Sequence, residues 1–143
     1  AVAMLIVSSA CSRAADWLQF RSAASNSVSS DKAPPVEWSE TQNVAWKVDL
    51  PGRGPSSPIV IGDMVVVTAS SGVRQDRLHV LAFDVKTGRQ LWERQFWATG
   101  RTLSHPASAN AACTPASDGK LILAFYSSSD LVSPSGSARD CCD

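Results

Sequence analysis

Apolar residues along this chain fall into short runs separated by turn formers, and the runs are too short and too regularly interrupted for helices. Residues 44–50, 57–61, 64–70, 78–84, 90–96 and 120–127 are predicted as antiparallel strands, with no helix between Ser57 and Phe96. Met64 to Val67 and Val80 to Phe83 are apolar on both faces. That pattern suits a sheet enclosed between two others rather than one wetted on one side. The segment from Ser22 to Pro35 is rich in Ser, Ala and Pro and is expected to be a loop draped over the domain.

The most informative stretch is Ala82 to Trp92, AFDVKTGRQLW, which fits A-x-D-x-x-T-G-x-x-x-W at every specified position. Asp84 can accept hydrogen bonds from the backbone amides of a turn, and Gly88 supplies the positive φ that closes a short hairpin. Trp92 on the return strand offers a large flat side chain to a neighbouring layer, and the small Ala82 leaves room for that layer to approach. Part of the chain also repeats. Residues 57–67, SPIVIGDMVVV, reappear as residues 114–124, TPASDGKLILA, with Pro58 to Pro115 and Gly62 to Gly119 both offset by 57. Trp46 aligns with Trp92 at an offset of 46, so the second connection is longer by 11 residues, inserted between Phe96 and Thr114. Insertions in a repeat array fall in loops on one face, where binding surfaces tend to be built.

This motif resembles the tryptophan-docking repeat of the pyrroloquinoline-quinone-type β-propellers, a family of quinoprotein dehydrogenases, an outer-membrane assembly lipoprotein and many exported bacterial proteins. The resemblance rests on Ala82, Asp84, Thr87, Gly88 and Trp92, with Trp46 as the matching tryptophan one repeat earlier. It implies four-stranded blades with the tryptophan wedged between neighbours, and hence an all-β fold. A propeller closes with ~4 to 8 blades. At 143 residues the expectation is an incomplete β-propeller of about two blades of four-stranded antiparallel sheet, a fragment whose remaining blades lie elsewhere. Such a piece, with open sheet edges, is expected to be insoluble or oligomeric alone. Residues 44–50 are expected as an outer, ring-closing strand.

Four segments are expected: a signal-peptide remnant at 1–15, a lead-in loop at 16–43, the partial propeller at 44–132, and an atypical tail at 133–143. The apolar run Ala1 to Ala10 is shorter than the ~20 residues needed to span a bilayer. Ser12 and Ala14 form a small-x-small cleavage pattern. An exported protein, periplasmic or extracellular, is the expectation. Lipid anchoring at Cys11 is disfavoured because Ser8 stands where a lipobox has a Leu-like residue. Asp16 to Arg21, DWLQFR, is similar to the D-W-P-Q-F-R-G-P lead-in of exported members in planctomycete-like bacteria, with Leu18, Ser22 and Ala23 departing from it. The tail SPSGSARDCCD has no strand pattern. A reading-frame artefact, a truncated end and a disordered terminus all stay open for it.

Charge narrows the functions. Thirteen Lys and Arg balance thirteen Asp and Glu, which leaves no electrostatic footprint for nucleic acid. His79 and His105 lack metal-binding spacing, and neither a phosphate loop nor a nucleophile elbow occurs. His79, within a strand, is expected to be a hydrogen-bonded structural residue. Arg101 and His105, in the insertion, are the candidate loop residues for binding. The adjacent Cys141 and Cys142 resemble the vicinal disulfide of some quinoprotein dehydrogenases but lie in the tail, outside any blade loop. Cys113 is expected to be buried and inert.

No catalytic, cofactor-binding or metal-ligating residue is assigned. Two classes stay open: a non-catalytic envelope platform for a protein, peptide or glycan, and a quinoprotein dehydrogenase using calcium and pyrroloquinoline quinone. Short loops around residues 51–56 favour the platform. A sensor region of a larger membrane protein is a third possibility, and it requires sequence beyond Asp143.

Overall fold

The computed structural model describes residues 16–29, 35–105 and 107–134. The signal-peptide remnant, Cys11, Cys141, Cys142 and most of the tail lie outside the described residues. Every regular element among those described is a strand: β1 (Ile59–Ile61), β2 (Met64–Ser71), β3 (Arg77–Asp84), β4 (Gln90–Trp97), β5 (Ala116–Ser117), β6 (Ile122–Phe125) and β7 (Leu131–Val132). β1 to β4 form one antiparallel sheet in sequence order, and β5 to β7 form a second. This is the arrangement of a partial propeller, one complete four-stranded blade followed by a three-stranded one.

The first sheet forms where the apolar runs are longest. Six consecutive residues of β3, Leu78 to Phe83, are all buried, as expected of a strand covered on both faces. One face contributes Met64, Val66, Leu78, Val80, Ala82 and Trp92 to a core completed by Ala111, Ile122, Ala124 and Tyr126 of the second unit. The other face carries a smaller cluster of Ala69, Leu81 and Phe83. β6 alternates strictly: Ile122, Ala124 and Tyr126 face the first sheet, while Leu121, Leu123 and Phe125 are 41–47% exposed. The period of two therefore leaves an apolar strip on the outer face of the second sheet.

The Asp84 to Gly88 turn forms as the sequence predicts. The Asp84 carboxylate accepts hydrogen bonds from Thr87 Oγ1 at 2.7 Å, Thr87 N at 2.8 Å and Lys86 N at 3.1 Å. The Thr87 hydroxyl, then the Thr87 amide, hold this carboxyl below its ordinary value of 3.8. Gly88 adopts φ +69° with the Trp46 indole against it; an added Cβ would lie 2.6 Å from Trp46 Cδ2. Gly88 is thus required both by the left-handed conformation and by the close approach. Ala82 pairs directly with Trp92, just before a bulge at Ala82/Phe83.

Two strand expectations need correction. Residues 44–50 form no strand. They enter no ladder or bridge with the described residues, and Trp46 within the segment donates its Nε1–H to Val85 O at 2.9 Å. The second sheet has three strands rather than four, and β5 and β7 are two residues each. Cys113 also departs from expectation: it lies in the connection before β5 and is partly exposed rather than buried. Residues 30–34 of the loop expected at 22–35 lie outside the described residues, and the stretch before it contacts both sheets. Trp17 exchanges two 2.9 Å backbone hydrogen bonds with Val60, and Leu18 O accepts from Ser117 N at 2.8 Å, so one short stretch ties β1 to β5.

Candidate functional site

Register fixes where the inserted connection lies relative to the first sheet. Ser71 pairs with Arg77 and Arg77 with Trp97, so the β2–β3 loop and the connection leaving β4 emerge from the same edge of the first sheet. The eleven-residue insertion therefore rises beside the loop of residues 72–76. Between residues 73–75 and residues 101–104 lies an open cleft of about 380 Å³.

The floor of this region is a buried polar network centred on Asn110, which is 0% exposed. Gln75 Oε1 accepts from Asn110 N at 2.8 Å and from Ser70 Oγ at 3.1 Å, and Gln75 O accepts from Asn110 Nδ2 at 3.2 Å. Asn110 Oδ1 accepts from Ser128 N at 2.8 Å, which carries the network into the second sheet. Ser128 Oγ then donates to Asp130 at 2.6 Å, and Asp130 also takes both the hydroxyl and the amide of Thr99. The Ser128 and Thr99 hydroxyls hold the Asp130 carboxyl below its ordinary value. At Gly100 an added Cβ would collide with the Ser128 carbonyl oxygen, so the connection is clamped close to the second sheet. Gln75 itself sits in the left-handed region at φ +54°. For a residue with a Cβ that conformation costs ~1 kcal/mol or more and persists where surrounding contacts over-determine it.

Arg101 lines the cleft, with Arg74 opposite it in the lining loop. His105 does not. Its Nδ1 accepts from Ala107 N at 3.1 Å and its carbonyl from Ser108 N at 2.8 Å, so it shapes a local turn. Gln75, Asn110 and Arg74 were not legible as site residues. The only signal was the insertion, which marks a loop but not its partner across the sheet.

A second constellation crosses the first sheet. Ser71 Oγ lies 2.6 Å from His79 Nε2, and His79 Nδ1 lies 2.7 Å from Glu93 Oε1, the order of nucleophile, base and carboxylate used in acyl transfer. His79 is 2% exposed, so a substrate finds no approach to the imidazole, and none of the three lines the cleft. Burial would raise the Glu93 carboxyl, but hydrogen bonds from His79, Gln95 and Gln90 outweigh it and hold it below its ordinary value. The relay ties β2, β3 and β4 together in register, in keeping with the structural role expected of His79.

Among the described residues no group of three His, Cys, Asp or Glu side chains is placed to hold a metal ion. The motif residues Ala82, Asp84, Thr87, Gly88, Trp92 and Trp46 all sit in the turn or between layers, away from the cleft.

The all-strand architecture, the 57-residue repeat and the tryptophan wedges define a β-propeller repeat protein. Residues 21–138 match the family model described as outer membrane protein assembly factor BamB, a PQQ-type repeat model. The chain belongs to that PQQ-like repeat family. No curated protein matches it.

Proposed function

We propose that this chain is part of an exported, non-catalytic propeller that acts as a binding or scaffold platform in the cell envelope, with the loop end of the sheets as its contact surface. One observation carries the reading: each residue that matches the repeat motif is occupied in a turn or a layer contact, whereas Val73, Arg74, Arg101 and Leu103 of the cleft lining are surface groups on a frame held by hydrogen bonds. The family description, an outer-membrane assembly factor, supports an envelope setting and a role in holding other proteins. Fold alone does not assign a function, since propellers host many.

The test uses the full-length protein, supplied with calcium and pyrroloquinoline quinone and assayed for dye-linked oxidation of alcohols and sugars. No quinone-dependent turnover is expected, together with saturable binding of an envelope protein, peptide or glycan. Turnover that requires the quinone would replace the platform with a dehydrogenase.

A further inference from the structure

We infer that the cleft between the β2–β3 loop and the connection after β4 binds an extended acidic peptide segment bearing an aliphatic side chain, with Arg74 and Arg101 taking its carboxylates. The inference deepens the platform reading and rests on it.

Charge is the first argument. Arg74 and Arg101 are exposed, line the cleft, and make no ion pair or hydrogen bond with the described residues. The carboxylate clamped at the root of the connection, Asp130, is already occupied by Thr99 and Ser128. Asp76 follows Gln75 in the loop but does not line the cleft. Two guanidinium groups are therefore left facing solvent without a counter-charge from the lining, and a planar five-donor fork is the side chain best suited to carboxylate recognition.

Shape and polarity select among anionic ligands. Val73 is fully exposed and Leu103 is 78% exposed, so the same cleft offers two aliphatic side chains beside the arginines. Neither contributes to the core, and aliphatic surface next to unpaired cations matches a peptide that alternates carboxylates with aliphatic residues. The lining contains no aromatic ring, which removes the flat stacking surface on which a sugar would rest. The cleft, about 380 Å³, is at the low end of the ~300 to 1,000 Å³ typical of ligand sites. It accommodates a few side chains of an extended segment. The frame is set in advance by the Gln75–Asn110–Ser128 network, so little ordering cost falls on binding.

The probe is a fluorescein-labelled Asp-Leu-Glu-Val-Asp peptide, titrated by fluorescence polarisation against the full-length protein. Saturable binding is expected, weaker at higher salt and weakened about tenfold or more by Arg74→Ala or Arg101→Ala, the loss typical of a charge-assisted contact. Leu103→Ser should weaken it by a smaller factor, and all three variants should melt like the parent because the side chains are exposed. Equal binding of the neutral Asn-Leu-Gln-Val-Asn peptide, or arginine variants that bind as the parent does, would overturn the inference. A uronate oligosaccharide that binds where the peptide does not would overturn the peptide assignment and leave the platform standing. Absence of binding by either, with quinone-dependent turnover, would overturn both.

Discussion

Trp46 and Trp92 occupy the same place in successive repeats, yet their indoles end in different surroundings. Trp92 is 6% exposed, wedged between the first sheet and Ile122, Ala124 and Tyr126 of the second, and its buried Nε1–H has no partner among the described residues. Trp46 is only half-buried, but its Nε1–H reaches Val85 O and its ring lies on Gly88. Ring burial is supplied by the sheet that follows, whereas the N–H is satisfied by the turn after that sheet's third strand. The register makes the correspondence concrete. Leu81 lies opposite Val67 as Val132 lies opposite Ala124. The position in the second unit that corresponds to Val85 lies outside the described residues.

The largest effect that can break this comparison is deletion of the wedge. Trp92→Ala is expected to cost about 3–5 kcal/mol by chemical denaturation, the range for removing a buried aromatic, and Trp46→Ala less because the ring is only partly buried. Equal costs would show that the two tryptophans are packed alike. Truncation to Phe sharpens the contrast. Trp46→Phe gives up a made hydrogen bond, about 1 kcal/mol, while Trp92→Phe removes a buried donor with no partner among the described residues and should cost little beyond the smaller ring.

Next in size is Asn110→Ala. It removes the Asn110 side-chain partners of Ser128 N and of the Gln75 carbonyl, while Gln75 Oε1 keeps the residue-110 amide and Ser70 Oγ, at about 1–3 kcal/mol for each group that finds no replacement. Hydrogen exchange should then rise in residues 72–76 and 98–105 together. A change confined to one of the two loops would mean that the network does not couple them.

The smallest effect concerns acid. Asp84, Asp118 and Asp130 are held below their ordinary value of 3.8 by hydrogen bonds from Thr87, from the Leu121 and Lys120 amides, and from Ser128 and Thr99. Their folded values lie below the unfolded ones, so each contributes stability that is fully present above the unfolded value and is lost as pH falls through the folded one. Melting temperature should decline as pH drops below about 4, and Asp84→Asn should flatten that decline. An unchanged slope in the variant would remove the turn carboxylate from the acid response.

The elements most legible in the sequence were those fixed by local chemistry. The Asp84 to Gly88 turn was readable because a carboxylate acceptor, a hydroxyl donor and a glycine stand at set spacing, and β2 and β3 because their apolar runs are long. Residues 44–50 misled because an apolar run states a preference for a ladder, while a strand also requires a neighbouring backbone. The cleft was legible only by half. Arg101 could be placed in an insertion, but its meeting with Arg74 depends on the register of β2, β3 and β4, and the floor depends on Asn110 reaching Gln75 across 35 residues. Tyr126 was invisible for the same reason: its hydroxyl donates to the His79 carbonyl at 2.7 Å, a contact between sheets.

Repeat residues that hold the layers and loop residues that hold a ligand should be separable. The most direct measurement is the acidic-peptide affinity of Asp84→Ala beside that of the Arg74→Ala/Arg101→Ala double variant, both in full-length protein well below their melting transitions. Affinity near that of the parent in Asp84→Ala, with a loss of about tenfold or more in the double arginine variant, is the expected result. Affinity lost with the turn aspartate and kept without the two arginines would contradict the assignment of binding to the loop end.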